Sequence, residues 1–276
     1  MVKNRLYVAL SDVPPELMDK PAIYSVTLVG IDPGNNFRHC GSGTLVKSGD
    51  QHFVLTAQHC AEPLCKYESI GFPIGLQGSP FIVQKLPPIY VGERTTDEWG
   101  PDLAFLPIHP VDVKHIHDNS NKTFFNLDRY EDEMLAGSAK TNRHLWAVVG
   151  SPISESNIEG PESYHFKRNT YSADIKSIAR AGPFDYLEAR ASLAGEPLTP
   201  DFLKGLSGGG VWYANLGQRE DGNYDLTEDP RLEGVAFYRT ESDEAGTFVK
   251  LRCHGRRSVY QQGLTELRAE LARRAM

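Results

Sequence analysis

Gly and Pro break this chain at short intervals, and that punctuation limits what it can fold into. With 25 Gly and 18 Pro in 276 residues, uninterrupted helices have little room. The segments between the breaks are short and rich in β-branched and aromatic residues: 23–31, 43–46, 52–57, 103–108 and 145–149, then 186–189, 211–213, 232–238 and 248–251. Many short strands at such spacing, without helical periodicity between them, point to an all-β barrel or sandwich. The clear helical signal comes last. Leu264, Leu267 and Leu271 repeat at three and four residues, with Glu266, Arg268, Glu270 and Arg273 on the other faces, the pattern of an amphipathic helix. Two stretches read as long polar loops, Asp112 to Ser138 and Asn215 to Asp229.

Apolar residues make up 40% of the chain and charged residues 24%, enough to build a sizeable core. The formal net charge of -7 argues against nucleic acid as a partner, because phosphate binding needs clustered positive charge. The basic run Arg252 to Arg257 reads as a solvated strand end. No window approaches the roughly 18 consecutive apolar residues of a membrane span. The start at Met1 shows no apolar run followed by a cleavage site, so a cytoplasmic protein is expected. Four cysteines are too few for a disulfide scaffold in a chain of this length.

Three segments carry chemistry. Gly205-Leu206-Ser207-Gly208-Gly209-Gly210 precedes the apolar pair Val211-Trp212. Glycines around a serine let neighbouring N–H groups converge on one point and leave room for a substrate carbonyl. Such a match arises by chance in about one chain in a hundred or more, and a plain glycine-rich turn is the simpler reading of it alone. Phe53 to Ala57 is a strand that runs through Gln58 into His59, and histidine has the pKa a general base needs; a histidine that merely packs at a strand end is the alternative. Asp102 opens the apolar run Leu103 to Ile108, where a carboxylate needs a partner unless it serves only as a turn residue.

Their order, His then Asp then Ser, is that of the chymotrypsin-type arrangement. The segments resemble the trypsin-like serine peptidases: Thr56-Ala57-Gln58-His59-Cys60 is similar to their histidine block, Asp102-Leu103-Ala104 to their aspartate block, and Gly205 to Gly209 to their Gly-Asp-Ser-Gly-Gly block. Gly41 to Val46 looks like the strand before the histidine in bacterial members, and Val148 to Pro152 like the opening of the second barrel. The resemblance implies one peptidase domain over 1–276. It would consist of two six-stranded antiparallel β-barrels, at about 20–125 and 140–255, and a C-terminal α-helix at 256–276. It implies a serine endopeptidase with His59, Asp102 and Ser207 as catalytic triad, and the N–H groups of Gly205 and Ser207 as oxyanion hole. No cofactor or metal is expected. The partners are a protein or peptide substrate and an activating protein; a catalytically silent, protein-binding relative of the same fold is the alternative.

The sequence also departs from that family. Leu206 stands where secreted members carry an Asp that pairs with a newly released N-terminal amine, so activation by a partner rather than by propeptide cleavage is expected. Phe237-Tyr238-Arg239 replaces the Ser-Trp-Gly edge strand, which places Arg239 at the substrate pocket. Asp201, six residues before the serine, matches the position that selects Arg or Lys at the cleaved bond, unless Arg239 pairs with it. Cys40 and Cys60 lie near the family's histidine-loop bridge and are expected to be thiols. A zinc site drawn from His39, Cys40, His59, Cys60 and Cys65 fits no finger spacing, and His109, His115 and His117 read as solvated.

Overall fold

The structure, a computed structural model, describes residues 15–34, 36–74, 80–93, 99–137, 143–158, 164–166, 169–193, 196–197, 203–239 and 250–276. It is mostly β, with a closed six-stranded barrel, a second sheet and a C-terminal helix, consistent with a chymotrypsin-like double barrel.

The first sheet holds eight strands: β1 (Ser25–Ile31), β2 (Phe37–Ser48), β3 (Gln51–Thr56), β4 (Ser69–Pro73), β5 (Pro80–Val83), β6 (Ile89–Tyr90), β7 (Ala104–Pro107) and β8 (Phe125–Asn126). They run β5-β4-β1-β2-β3-β7-β6, with β8 beside β2. The second sheet follows a short hairpin, β10 (Ser156–Ile158) and β11 (Tyr164–Phe166), that branches off after its first strand, β9 (His144–Gly150). Its other strands are β12 (Asn169–Ala181), β13 (Phe184–Leu193), β14 (Glu196–Pro197), β15 (Gly210–Gln218), β16 (Tyr224–Leu226), β17 (Arg231–Arg239) and β18 (Lys250–His254). The order β12-β9-β15-β17-β18-β13 closes on itself because β12 also pairs with β13. Closure leaves those six strands without a free edge.

Inward-facing residues fill the closed barrel. Trp146, Val148, Tyr171, Leu187, Val211, Tyr213, Leu251 and Cys253 form its core, and Leu206 is buried with them. A larger core runs beneath the first sheet and takes in Trp212, Leu232, Val235 and Phe237 from the second. The chain end seals it. A π-helical turn, Arg257–Gly263, leads into a helix over Leu264–Arg274, and Val259, Tyr260, Leu264 and Leu267 are fully buried. Burying each such apolar side chain contributes roughly 1.5–3 kcal/mol.

Three expectations fail. The stretch from Asp112 to Ser138 is not a loop: it carries α3 (Pro110–Asn119) and α4 (Leu127–Ala136), preceded in the chain by α1 (Pro15–Ala22) and α2 (Gln58–Leu64). In α4, Leu127, Tyr130 and Met134 are buried at three- and four-residue spacing, and the Asn126 side chain caps its start by accepting from Arg129 N, as an N-cap should. Nor is Asn215 to Asp229 a loop throughout, since β15 continues to Gln218 and pairs with β16. The basic strand end is not solvated. Arg252 is buried, lies 3.9 Å over the Trp99 ring and pairs with Glu188, and His254 is fully buried. No described helix is long and apolar enough to cross a membrane.

Candidate active site

Strand register brings His59 and Asp102 together. In the β3–β7 pair, Thr56 lies opposite Ala104. Continuing three residues past Thr56 and stepping back two before Ala104 therefore reaches the same end of the sheet. There Ala57 is extended and α2 begins, which turns the His59 side chain toward the second barrel. Asp102 uses both oxygens on this one residue: Oδ1 accepts the His59 backbone N–H at 2.9 Å, and Oδ2 contacts Nδ1 at 2.6 Å. Burial disfavours a charged imidazole. The Asp102 hydrogen bond, with Cys60 beside it, outweighs burial and pushes His59 up to about 10. Burial likewise opposes the Asp102 carboxylate, yet the contact with His59 holds it below its ordinary value.

The second barrel supports Asp102 from behind. Its backbone N–H donates to His254 Nε2 at 3.0 Å, so that nitrogen carries no proton and Nδ1 does. Burial pushes His254 down to about 4, which keeps it neutral. Its Nδ1 has no hydrogen-bond partner among the described residues, and its ring stacks on Phe237 at 4.4 Å. Phe237 sits where the β17–β18 register slips, between Ala236 and Tyr238. Such a bulge re-aims one residue of an otherwise regular strand.

Ser207 reaches the same cleft from the turn before β15. Gly205 has φ +93° and Gly208 φ +85°, a region that disfavours side chains. Space is also lacking, because a Cβ on Gly208 would lie 2.0 Å from the Ser42 carbonyl oxygen. Leu206, fully buried in the barrel core, anchors the turn between them. The Ser207 hydroxyl makes a long contact, 3.4 Å, with the Phe237 carbonyl. The Cys60 thiol lies 3.5 Å from His59 Nε2 and 3.4 Å from the Ser207 carbonyl. Neither Gly205 N–H nor Ser207 N–H donates to another described residue.

His59, Asp102, Gly205, Ser207 and Phe237 line a cleft of about 480 Å³, with Ile153, Leu203, Lys204, Ala236 and Leu251 as further walls. No family model matches the chain, and no curated protein matches it either. Among solved structures it is similar to the crystal structure of Rv3671c from M. tuberculosis H37Rv, an inactive form with a serine-to-alanine substitution. The TM-score is 0.47 and the identity 16%, over 93% of this chain and 92% of that one.

Of the residues expected at the site, His59, Asp102, Gly205 and Ser207 share the cleft. Asp201 lies outside the described residues, and so does the side chain of Arg239, whose backbone ends β17 opposite Leu251. Among the described residues no three metal-ligating side chains cluster. His109 caps α3, and His115 and His117 lie along it. All four cysteines are free. Sequence reasoning missed His254 and the role of Ser42, whose hydroxyl donates to the Gly205 carbonyl at 2.6 Å. Nothing in their local sequence marks them out.

Proposed function

We propose that the chain is a serine endopeptidase acting through an acyl-enzyme. The observation that carries this reading is the doubly bonded Asp102–His59 pair in one cleft with Ser207. In the proposed cycle, Ser207 Oγ attacks the scissile carbonyl carbon while His59 Nε2 takes the hydroxyl proton. The C–N bond then breaks as His59 returns that proton to the leaving amine, and an ester to Ser207 remains. Water attacks the ester with His59 again as base, releasing the acid and restoring the serine. Asp102 keeps the His59 proton on Nδ1 and stabilises the imidazolium. The N–H groups of Gly205 and Ser207 receive the developing oxyanion, at a few kcal/mol per donor.

Buried Leu206 supports activity without a released N-terminal amine, because the turn has a core anchor where an ion pair would otherwise serve. Order of the cleft then comes from this packing or from a bound protein partner. The proposed preference for Arg or Lys at the cleaved bond rests on Asp201, with Arg239 as a competitor for its charge. The proposed setting is the cytoplasm. A second reading, a catalytically silent protein-binding module, draws on the Ser207 hydroxyl facing the Phe237 carbonyl rather than His59.

A fluorophosphonate probe separates the two. The endopeptidase reading expects the wild type to be labelled at Ser207, Ser207→Ala to be inert, and a peptide library to be cleaved by the wild type alone. No labelling of a folded wild type, at any pH up to about 10, would favour the binding module.

A further inference from the structure

We propose that Ser42 is a positioning residue that holds the oxyanion loop in its working shape. The proposal rests on the endopeptidase reading and extends it to a residue of the first sheet that does not line the cleft.

The carbonyls of four consecutive residues in the loop are each held by a donor. Lys204 O accepts from Ile153 N at 2.8 Å, Leu206 O from Gly209 N at 2.8 Å and Ser207 O from Ser42 N at 2.8 Å. Gly205 O accepts from the Ser42 hydroxyl at 2.6 Å. In a trans peptide the N–H points opposite to the carbonyl. Fixing the Lys204 and Leu206 carbonyls therefore fixes where the N–H groups of Gly205 and Ser207 point, and these two donate to no other described residue.

Three of the four donors are backbone groups. The fourth is a side chain, and it acts on the residue least able to hold its own conformation. Glycine has little intrinsic preference between backbone regions, so at Gly205, with φ +93°, the surrounding contacts do the selecting. If the Gly205 carbonyl is released, its peptide keeps only the longer bond from Leu206 N to Leu203 O, at 3.2 Å, and the peptides on either side can turn with it.

The direction of the Ser42 proton is settled by its other partner. Ser151 N–H donates to the Ser42 oxygen at 2.8 Å, so the hydroxyl proton is left for Gly205 O. Ser151 is itself tied to the first sheet, by His39 Nε2 on its carbonyl at 2.9 Å and by Thr27 Oγ1 on its hydroxyl at 2.5 Å. Ser42 is fully buried, so solvent does not reach its hydroxyl. The oxyanion loop of one barrel is thus ordered by a hydroxyl of the other.

The test compares Ser42→Ala with Tyr260→Phe. The latter removes an equally buried hydroxyl, one that donates to Leu232 O at 2.9 Å far along the chain from the loop. Both should lower the melting temperature. Only Ser42→Ala should lower kcat, by roughly 10- to 100-fold with KM nearly unchanged, because the contact matters chiefly where charge develops. Affinity for a peptide boronic acid, which forms a tetrahedral adduct, should fall in parallel. Amide hydrogen exchange at Gly205 to Ser207 should speed up about tenfold or more in Ser42→Ala and not in Tyr260→Phe. If Ser42→Ala does not fold, Ser42→Cys, with a weak donor of similar shape, takes its place. Wild-type kcat and boronate affinity in the Ser42 variant would overturn the proposal, as would losses matched by Tyr260→Phe. An unlabelled, inactive wild type would instead overturn the endopeptidase reading. Exchange would then still decide the case, and unchanged rates at Gly205 to Ser207 would end the proposal.

Discussion

Replacing Asp102 with Asn probes the site through the proton on His59. The wild-type rise from 6.5 to about 10 favours the imidazolium by roughly 5 kcal/mol. The His59 side chain is 31% exposed, so solvent screening reduces that figure. Because the folded value lies above the unfolded one, this stabilisation is complete below about pH 6.5 and is lost as pH rises toward 10. Asp102, lowered by the same contact, adds an acid limit: its contribution is present above its ordinary 3.8 and disappears as pH falls beneath it. Catalysis runs the other way. A base must be unprotonated, so hydrolysis by the wild type should climb across the same interval, from 6.5 to about 10. In Asp102→Asn the amide oxygen can keep the His59 backbone N–H, which turns the amide NH₂ toward Nδ1. That nitrogen must then accept, and the imidazole proton moves to Nε2, where it blocks transfer from Ser207. The rate should fall about 10⁴-fold, the usual effect of this substitution in a Ser-His-Asp triad. With the carboxylate gone, burial dominates and His59 should titrate below 6.5. Amidase assays across pH, with ¹⁵N NMR of the labelled histidines, check both. A variant His59 that still titrates above about 8, or a rate within tenfold of wild type, would refute the reasoning.

Leu206→Ala should cost about 2–5 kcal/mol in urea unfolding, since it empties a fully buried site in the barrel core; a change under about 0.5 kcal/mol, typical of surface sites, would mean that the core does not anchor the turn. Alkylation of the native protein should reach exposed Cys65 first and leave buried Cys60 and Cys253 untouched until unfolding, as peptide mapping would read out. Dithiothreitol should leave the melting temperature unchanged, whereas reduction of a native disulfide would remove about 2–4 kcal/mol.

Much of the fold was legible because β3, β7 and β15 are apolar runs bounded by turns, the form of a strand buried on both faces. The helices α3 and α4 were not. Their apolar positions, Val113 and Ile116 or Leu127, Tyr130 and Met134, are separated by His, Asp, Lys and Glu, and only burial against the sheet reveals the spacing. Strand β12 was also missed. Of its thirteen residues only Tyr171 is fully buried, so it lacks the alternation that marks a half-buried strand.

At the site, legibility followed range. A histidine past a strand end, an aspartate before one, and a serine between glycines each answer a local demand of the backbone, so short windows suffice to find them. Their supports answer distant demands. His254 meets the Asp102 N–H across 152 residues, and Ser42 meets the Gly205 carbonyl across 163. Such contacts depend on strand register, and register slips at Leu28/Val29, Val211/Trp212 and Ala236/Tyr238. One extra residue reverses the face on which the later side chains of that strand fall: Cys40 is such a residue just before Ser42, and Phe237 is one on the strand that pairs with His254. Leu206 illustrates the same limit. Its sequence position says only that no carboxylate is available there, and what replaces the charge depends on the shape of a barrel interior assembled from β9, β12, β13, β15, β17 and β18.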